Sequence, residues 1–206
     1  DMDGVLVDSE SVYLRMFRTF LEENGCEVDD HTLHKLSGAN SQRTWELMAR
    51  MWKEEITPQE MRAMYKKDHP VDEIPYREIL YPGVRELLVW LKEQGIVTAI
   101  ASSSSEEAIR KMLAETELSS LFSCYVSGKW FKTSKPDPEI YLYTLQKLGL
   151  PAGDCIVVED SAYGIQAAKA AGLTVAAVRD TNFGTDQSAA DYLIDRTCEL
   201  RELLER

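Results

Sequence analysis

The chain reads as an α/β protein, a doubly wound parallel sheet with a smaller α-helical domain inserted near its beginning. Three observations predict this. From Pro82 onward, amphipathic helical stretches alternate with short, nearly continuous apolar runs, the pattern of βαβ units whose strands are buried on both faces. From residue 11 to residue 78 the periodicity is helical, with no strand-like run between. Polar and charged residues stand at the ends of the later apolar runs, and the carboxyl ends of parallel strands are where open α/β sheets bind ligands. The expected layout is a discontinuous Rossmann-like core from residues 1–10 and 79–206, with a helical cap domain over residues 11–78.

Each element follows from local spacing. Ser9 to Asn24 places Val12, Phe17, Phe20 and Leu21 at helical intervals, with Ser9 as a cap and Gly25 as the stop. Ser41 to Glu55 repeats Trp45, Met48, Met51 and Trp52 on one helix face, a stripe expected in a core. Thr57-Pro58-Gln59-Glu60 joins a capping box to proline at the first helical position, so a helix should run to Lys67. In the second part, a helix from Gly83 to Gln94 stops at Gly95, and Ile96 to Ala101 is a strand. Ser104-Ser105-Glu106-Glu107 offers a capping box for a helix reaching Thr116. Cys124 to Ser127 is a strand, Asp137 to Leu148 a helix closed by Gly149, and Ile156 to Val158 a strand. Ala162 to Ala171 is a helix closed by Gly172, Thr174 to Val178 and Tyr192 to Ile194 are strands, and a last helix starts near Cys198.

Composition narrows the function classes. With 206 residues, 44% of them hydrophobic, the chain can bury a proper core. A net charge of −12 and a pI near 4.8 provide no basic field for a phosphate backbone, which argues against nucleic-acid binding. No apolar run approaches the roughly 18 residues of a membrane span, and no signal segment is visible. A soluble, cytoplasmic monomer is expected. Cys26, Cys124, Cys155 and Cys198 are scattered, which reads as four reduced thiols and neither a disulfide framework nor a zinc site. His31 and His34 are helix neighbours without a third ligand nearby.

The chemistry concentrates in a few short polar stretches, of which Ser102 and Glu159-Asp160 directly follow apolar runs. Asp1 and Asp3 stand one residue apart beside Gly4, and such a pair persists where a cation or a developing charge needs both groups. Taken singly, each further residue has a plain reading. Lys135 is a solvated loop lysine, Ser102 to Ser105 a polar loop with a helix cap, and Glu159-Asp160 a pair of acids favouring a helix dipole. Taken together at one sheet edge, three carboxylates, a lysine, hydroxyls and loop amides suit phosphoryl transfer with a hard cation. Magnesium commonly takes one or two carboxylates with waters and substrate phosphate, and Asp1 and Asp160 are the best side-chain candidates.

Four motifs in order carry a resemblance: Asp-Met-Asp-Gly-Val-Leu at 1 to 6, Ala-Ser-Ser at 101 to 103, Ser-Lys-Pro-Asp-Pro at 134 to 138 and Val-Val-Glu-Asp-Ser at 157 to 161. Together they resemble the haloacid dehalogenase superfamily, in the branch with a helical cap between the first two motifs that holds β-phosphoglucomutases and small-metabolite phosphatases. The resemblance implies that Asp1 is the nucleophile forming an aspartyl-phosphate, that Asp3 is the general acid and base, and that Asp3 gives its backbone carbonyl to the metal. Glu159 is expected behind the metal ligands, with direct ligation left open. Lys135 would supply fixed positive charge, while Ser102 and the amide of Ser103 hold the non-reacting phosphate oxygens. The family's nucleophile ends a buried strand, so apolar residues are expected ahead of Asp1 in the functional protein.

A cap would present residues such as Tyr13, Asn40, Ser41 and Arg43 to the leaving group, with Ser104 a further substrate contact. In β-phosphoglucomutases a histidine stands where this chain has Tyr13, and a Ser-Arg pair where it reads Gly38-Ala39-Asn40-Ser41. These departures favour a magnesium-dependent phosphatase of a small phosphorylated metabolite, a sugar phosphate among the candidates. A phosphomutase is the alternative, and a non-catalytic phospho-accepting signalling module the alternative of another class.

Overall fold

A computed structural model describes all residues except 37–40, 70–72, 182–183 and 206. The Cα framework divides into two compact units, Ser9–Pro75 and a discontinuous unit of Asp1–Asp8 with Tyr76–Arg206.

The first unit is built from α1 (Ser9–Glu23), α2 (Asp30–His34), α3 (Ser41–Met51) and α4 (Pro58–Asp68). Phe17, Phe20, Leu21, Trp45, Met48, Met61 and Tyr65 form its core, so the apolar stripe of α3 is packing surface, as its spacing predicts. The Tyr65 ring meets Phe17 and Phe20 edge-on, each at 5.2 Å between centroids, the geometry aromatic quadrupoles prefer. α4 begins with the expected box: Thr57 Oγ1 accepts from the Glu60 amide, and the Glu60 carboxylate accepts from the Thr57 amide. Two details depart from the sequence reading. α3 stops at Met51 rather than Glu55, because Lys53, Glu54 and Glu55 are all exposed and offer no apolar face to hold a further turn. α2 is an element that periodicity did not reveal, a single short helix capped by the Asp29 carboxylate on the Thr32 amide.

The second unit alternates strand and helix: α5 (Val84–Glu93), β1 (Ala99–Ser102), α6 (Glu106–Glu115), β2 (Cys124–Ser127), α7 (Glu139–Leu148), β3 (Ile156–Glu159), α8 (Ala162–Ala170), β4 (Thr174–Val178), β5 (Tyr192–Ile194) and α9 (Leu200–Leu204). Every pairing between these strands is parallel. The strands make two pieces, β1-β2 and β3-β4-β5. The Ala101 carbonyl of β1 accepts from Lys135 Nζ at 3.1 Å, and the Val158 carbonyl of β3 accepts from the Asp1 nitrogen at 2.8 Å. A cavity of about 490 Å³ is lined from β1 by Ala99 and Ala101 and from β3 by Ile156, Val157 and Val158.

Strand limits shift where the site is built. β1 starts at Ala99, not Ile96, and Ile96 and Val97 are exposed. Ser102 and Glu159 are the last residues of their strands rather than the first residues beyond. The capping box expected at Ser104 is absent. Ser105 caps α6 through the Ala108 amide, and the Ser104 hydroxyl is drawn instead to Asp3. The four cysteines are free, and burial pushes the thiols of Cys124 and Cys155 up. Among the described residues, no helix is long and apolar enough to cross a membrane.

Candidate active site

Four strand ends and loops of the second unit meet at the carboxyl edge. Asp1 leads into a loop curled on itself, in which the Met2 carbonyl accepts from the amides of Leu6 and Val7. Val7 bridges Leu80, and the Leu6 carbonyl accepts from the Tyr81 amide, which anchors this opening segment to the chain returning ahead of α5. β1 delivers Ser102, the loop before α7 delivers Lys135, and β3 delivers Glu159 and Asp160.

The structure brings together Asp1, Lys135, Glu159 and Asp160. Lys135 Nζ lies 2.6 Å from Glu159 Oε1 and 3.4 Å from Asp1 Oδ2, with side chains 5%, 0% and 10% exposed respectively, so these charges meet away from bulk water. Asp1, Glu159 and Asp160 each offer a carboxylate oxygen within 4.8 Å of the others, a set of hard oxygen donors that fits a hard divalent cation. The Asp3 side chain is not part of that set. Its Oδ2 accepts from Ser104 Oγ at 2.6 Å and Ser102 Oγ at 3.4 Å, which aims it at the β1 loop. Ser103 is exposed in that loop, and Ser127 braces it by donating to the Ser104 carbonyl at 2.6 Å.

Electrostatics of the buried pair follow from desolvation against attraction. Burial is the largest single influence on Glu159 and opposes its charge, but the Lys135 ammonium, the Asp1 amino group and the hydrogen bonds from Lys135 and Tyr141 together outweigh it and pull the carboxyl down from 4.5 to about 2. Burial likewise opposes the charge on Lys135, and Glu159 and Tyr141 together more than compensate, holding the ammonium above its ordinary range. The Tyr141 hydroxyl, buried beside this pair, is pushed well above 10, first by desolvation and then by the Glu159 charge.

Several contributors carry no sequence signal that periodicity or composition could read. Tyr141 lies on the buried face of α7 and reads as ordinary core, yet its hydroxyl donates to Glu159 Oε1 at 2.5 Å. Gln187, in a loop, donates from one amide nitrogen to the carbonyls of Asp160 and Val178, both at 2.7 Å, and so holds the backbone behind Asp160. Gly4 was legible as the partner of Asp1 and Asp3. Its φ is +74°, and a Cβ there would stand 1.9 Å from Asp160 Oδ2, so the missing side chain is what lets that carboxylate approach. Gly4→Ala should therefore lower the thermal midpoint, with about 1–2 kcal/mol from the left-handed backbone alone and more from displacing Asp160. Denaturant unfolding checks it, and an unchanged stability would show that the loop can rearrange at no cost.

Of the candidate substrate contacts, Tyr13 and Arg43 lie in the helical unit, in local company, while Ser104 lies in the second unit on Asp3. The Tyr13 ring stacks on Phe17 at 6.1 Å, and Arg43 Nη1 pairs with Glu46 at 3.2 Å on the same helix. Asn40 lies outside the described residues.

Comparison with known proteins agrees with the family that the motifs resemble. The sequence profile described as Haloacid dehalogenase-like hydrolase matches residues 1–178. The Phosphorylated carbohydrates phosphatase of Thermotoga maritima is 32% identical over 176 residues, covering 84% of this chain and 80% of that protein. Hexitol phosphatase B of Escherichia coli is 32% identical over 179 residues, covering 83% and 78%. Among solved structures, a candidate β-phosphoglucomutase from Thermotoga maritima aligns with a TM-score of 0.78 at 28% identity, over 100% of this chain and 96% of that one.

Proposed function

The chain belongs to the haloacid dehalogenase-like hydrolase family, and on that premise we propose that it is a magnesium-dependent phosphatase of a small phosphorylated metabolite, with sugar phosphates first among the substrates to try. The observation that carries the reading is the convergence of Asp1, Lys135, Glu159 and Asp160 at one sheet edge, with Asp3 turned to the serine loop beside them.

Asp1 and Asp160, with the backbone of Asp3, would hold the magnesium, and Glu159 stands behind them. When bound, the ion neutralises charge on the phosphoryl oxygens. Asp1 Oδ attacks phosphorus in line, forming the bond of an aspartyl-phosphate as the ester oxygen departs. Asp3 gives that oxygen its proton, then takes a proton from the water that attacks the aspartyl-phosphate and releases inorganic phosphate. Help of this kind is worth about 10²- to 10⁴-fold. Lys135 holds positive charge against Asp1 and the transferring oxygens, and Ser102 with the Ser103 amide receives the others. Ser104, whose hydroxyl binds Asp3, is better placed to orient that carboxylate than to read the substrate.

The phosphatase names of the relatives support hydrolysis, and the Thermotoga structure keeps a phosphomutase as the second reading. The test is a panel of phosphorylated sugars, polyols and short-chain acids with and without magnesium. Phosphate release that vanishes on chelation is expected, and full activity in excess chelator would refute the metal assignment. With glucose 1-phosphate and a sugar bisphosphate activator, phosphate release should exceed conversion to glucose 6-phosphate. Rapid interconversion with little free phosphate would promote the mutase.

A further inference from the structure

We propose that Tyr141 is a positioning residue for Lys135, acting through Glu159; the inference rests on the hydrolase reading above for its kinetic consequence, though not for its geometry. The four hydrogen bonds around Glu159 carry it. Oε1 accepts from Tyr141 Oη at 2.5 Å and from Lys135 Nζ at 2.6 Å, while Oε2 accepts from the Asp160 amide and from Ser161 Oγ, both at 3.2 Å. A carboxylate offers about four lone-pair sites, so these donors fill it. On the side of α8 the carboxylate also has no room to move. A Cβ on Gly164 would come within 2.0 Å of Oε1 and 2.1 Å of Oε2, so the α8 backbone forms a wall directly against it.

Lys135 has three ammonium protons and three acceptors around it: Ala101 O at 3.1 Å, Glu159 Oε1 at 2.6 Å and Asp1 Oδ2 at 3.4 Å. The first is fixed by β1. The second is fixed only as well as Glu159 is fixed, and one side of Oε1 is held by the tyrosine. The third, the longest, faces the proposed nucleophile. If Oε1 is free to turn, the ammonium follows its tightest partner, and the distance to Asp1 is what changes. The Tyr141 ring adds a second constraint, since its centroid lies 5.1 Å from Nζ, within cation–π range. Phenylalanine would fill the same buried volume and keep the ring, so the hydroxyl alone distinguishes a positioning role from packing. The same bookkeeping makes Glu159 an anchor for the lysine rather than a direct metal ligand.

Tyr141→Phe tests this with two readouts. In the kinetic one, kcat should fall about tenfold, while KM for substrate and the half-saturating magnesium concentration stay within about twofold, because an interaction felt mainly in the transition state is lost. In the second, the Lys135 methylene next to Nζ, followed by carbon-13 NMR in lysine-labelled protein without magnesium or substrate, should shift from its wild-type position. A kcat within about twofold of wild type overturns the proposal. So does a kcat loss with an unmoved Lys135 signal, which would place the effect elsewhere. A magnesium requirement raised about tenfold, with kcat restored at saturation, overturns it in favour of Glu159 as a ligand. Should the wild type hydrolyse nothing in the panel, the hydrolase reading fails by itself, and the Lys135 signal still decides whether Tyr141 sets the lysine.

Discussion

Asp1→Asn should reduce phosphate release by about four orders of magnitude or more, and no labelled protein should form with any substrate. Asparagine keeps the size of the side chain, but its amide is a poor nucleophile and a poor leaving group, so neither half of the double displacement can proceed through it. The change also removes one charge facing Lys135 Nζ, 3.4 Å from Asp1 Oδ2, without touching the tighter contact to Glu159. The fold should therefore survive, and circular dichroism should match wild type. Asp3→Asn provides the contrast. It leaves Asp1 intact and removes the proton donor, so an aryl phosphate with an acidic leaving group should still label the protein while water attack slows and phosphoenzyme accumulates. Rapid-quench trapping alongside released phosphate reads both variants. Wild-type labelling of Asp1→Asn would remove Asp1 from the nucleophile's role, and wild-type turnover of an alkyl phosphate by Asp3→Asn would remove Asp3 from proton transfer.

Lys135→Met should cost about 3–5 kcal/mol of stability at neutral pH as well as the activity, because it leaves Glu159 charged, buried and without its counter-ion. The pH dependence should change sign. In the wild type the Glu159 carboxyl is depressed from 4.5 to about 2, so the stability linked to its ionisation, on the order of 3 kcal/mol, is present above pH 4.5 and lost as the pH falls from there toward 2. On the alkaline side the raised Lys135 ammonium contributes fully below 10.5, and that contribution is lost as the pH climbs further. Without the lysine, burial dominates at Glu159 and lifts its carboxyl above 4.5, so the variant should gain stability as the pH drops from 7 toward 4.5. Urea unfolding across pH 3 to 8, in excess chelator so that metal does not enter, measures both proteins. Parallel pH profiles would mean that the lysine does not govern the ionisation of Glu159.

Much of the molecule is legible residue by residue. Glycines at 25, 95, 149 and 172 stop helices where the spacing says they should, each with positive φ. The Thr57 to Glu60 box and the Trp45-Met48 stripe are local codes that need no partner to be read. Order and company pointed to Asp1, Lys135, Glu159 and Asp160 as neighbours, and the structure does bring them together, although only Ser102 and Glu159 end strands while Lys135 comes from the loop before α7. What escaped depends on competition between distant groups. Ser104 and Ser105 look equivalent as caps, and the choice falls to Ser105 only because Asp3, about a hundred positions away, takes the other hydroxyl.

The sequence by itself determined the alternation of strand and helix, the helical insertion and the identity of the charged residues, because periodicity, capping and glycine punctuation act within a few residues. Only the tertiary structure decided the hydrogen-bond partners: Tyr141 and Ser161 on Glu159, Gln187 behind Asp160, Gly4 and Gly164 as the space those carboxylates occupy. A buried carboxylate must be satisfied by whatever donors the fold brings within about 3 Å, and which residues those are depends on how α7 and α8 pack against β3, a fact of three-dimensional proximity that no spacing along the chain encodes.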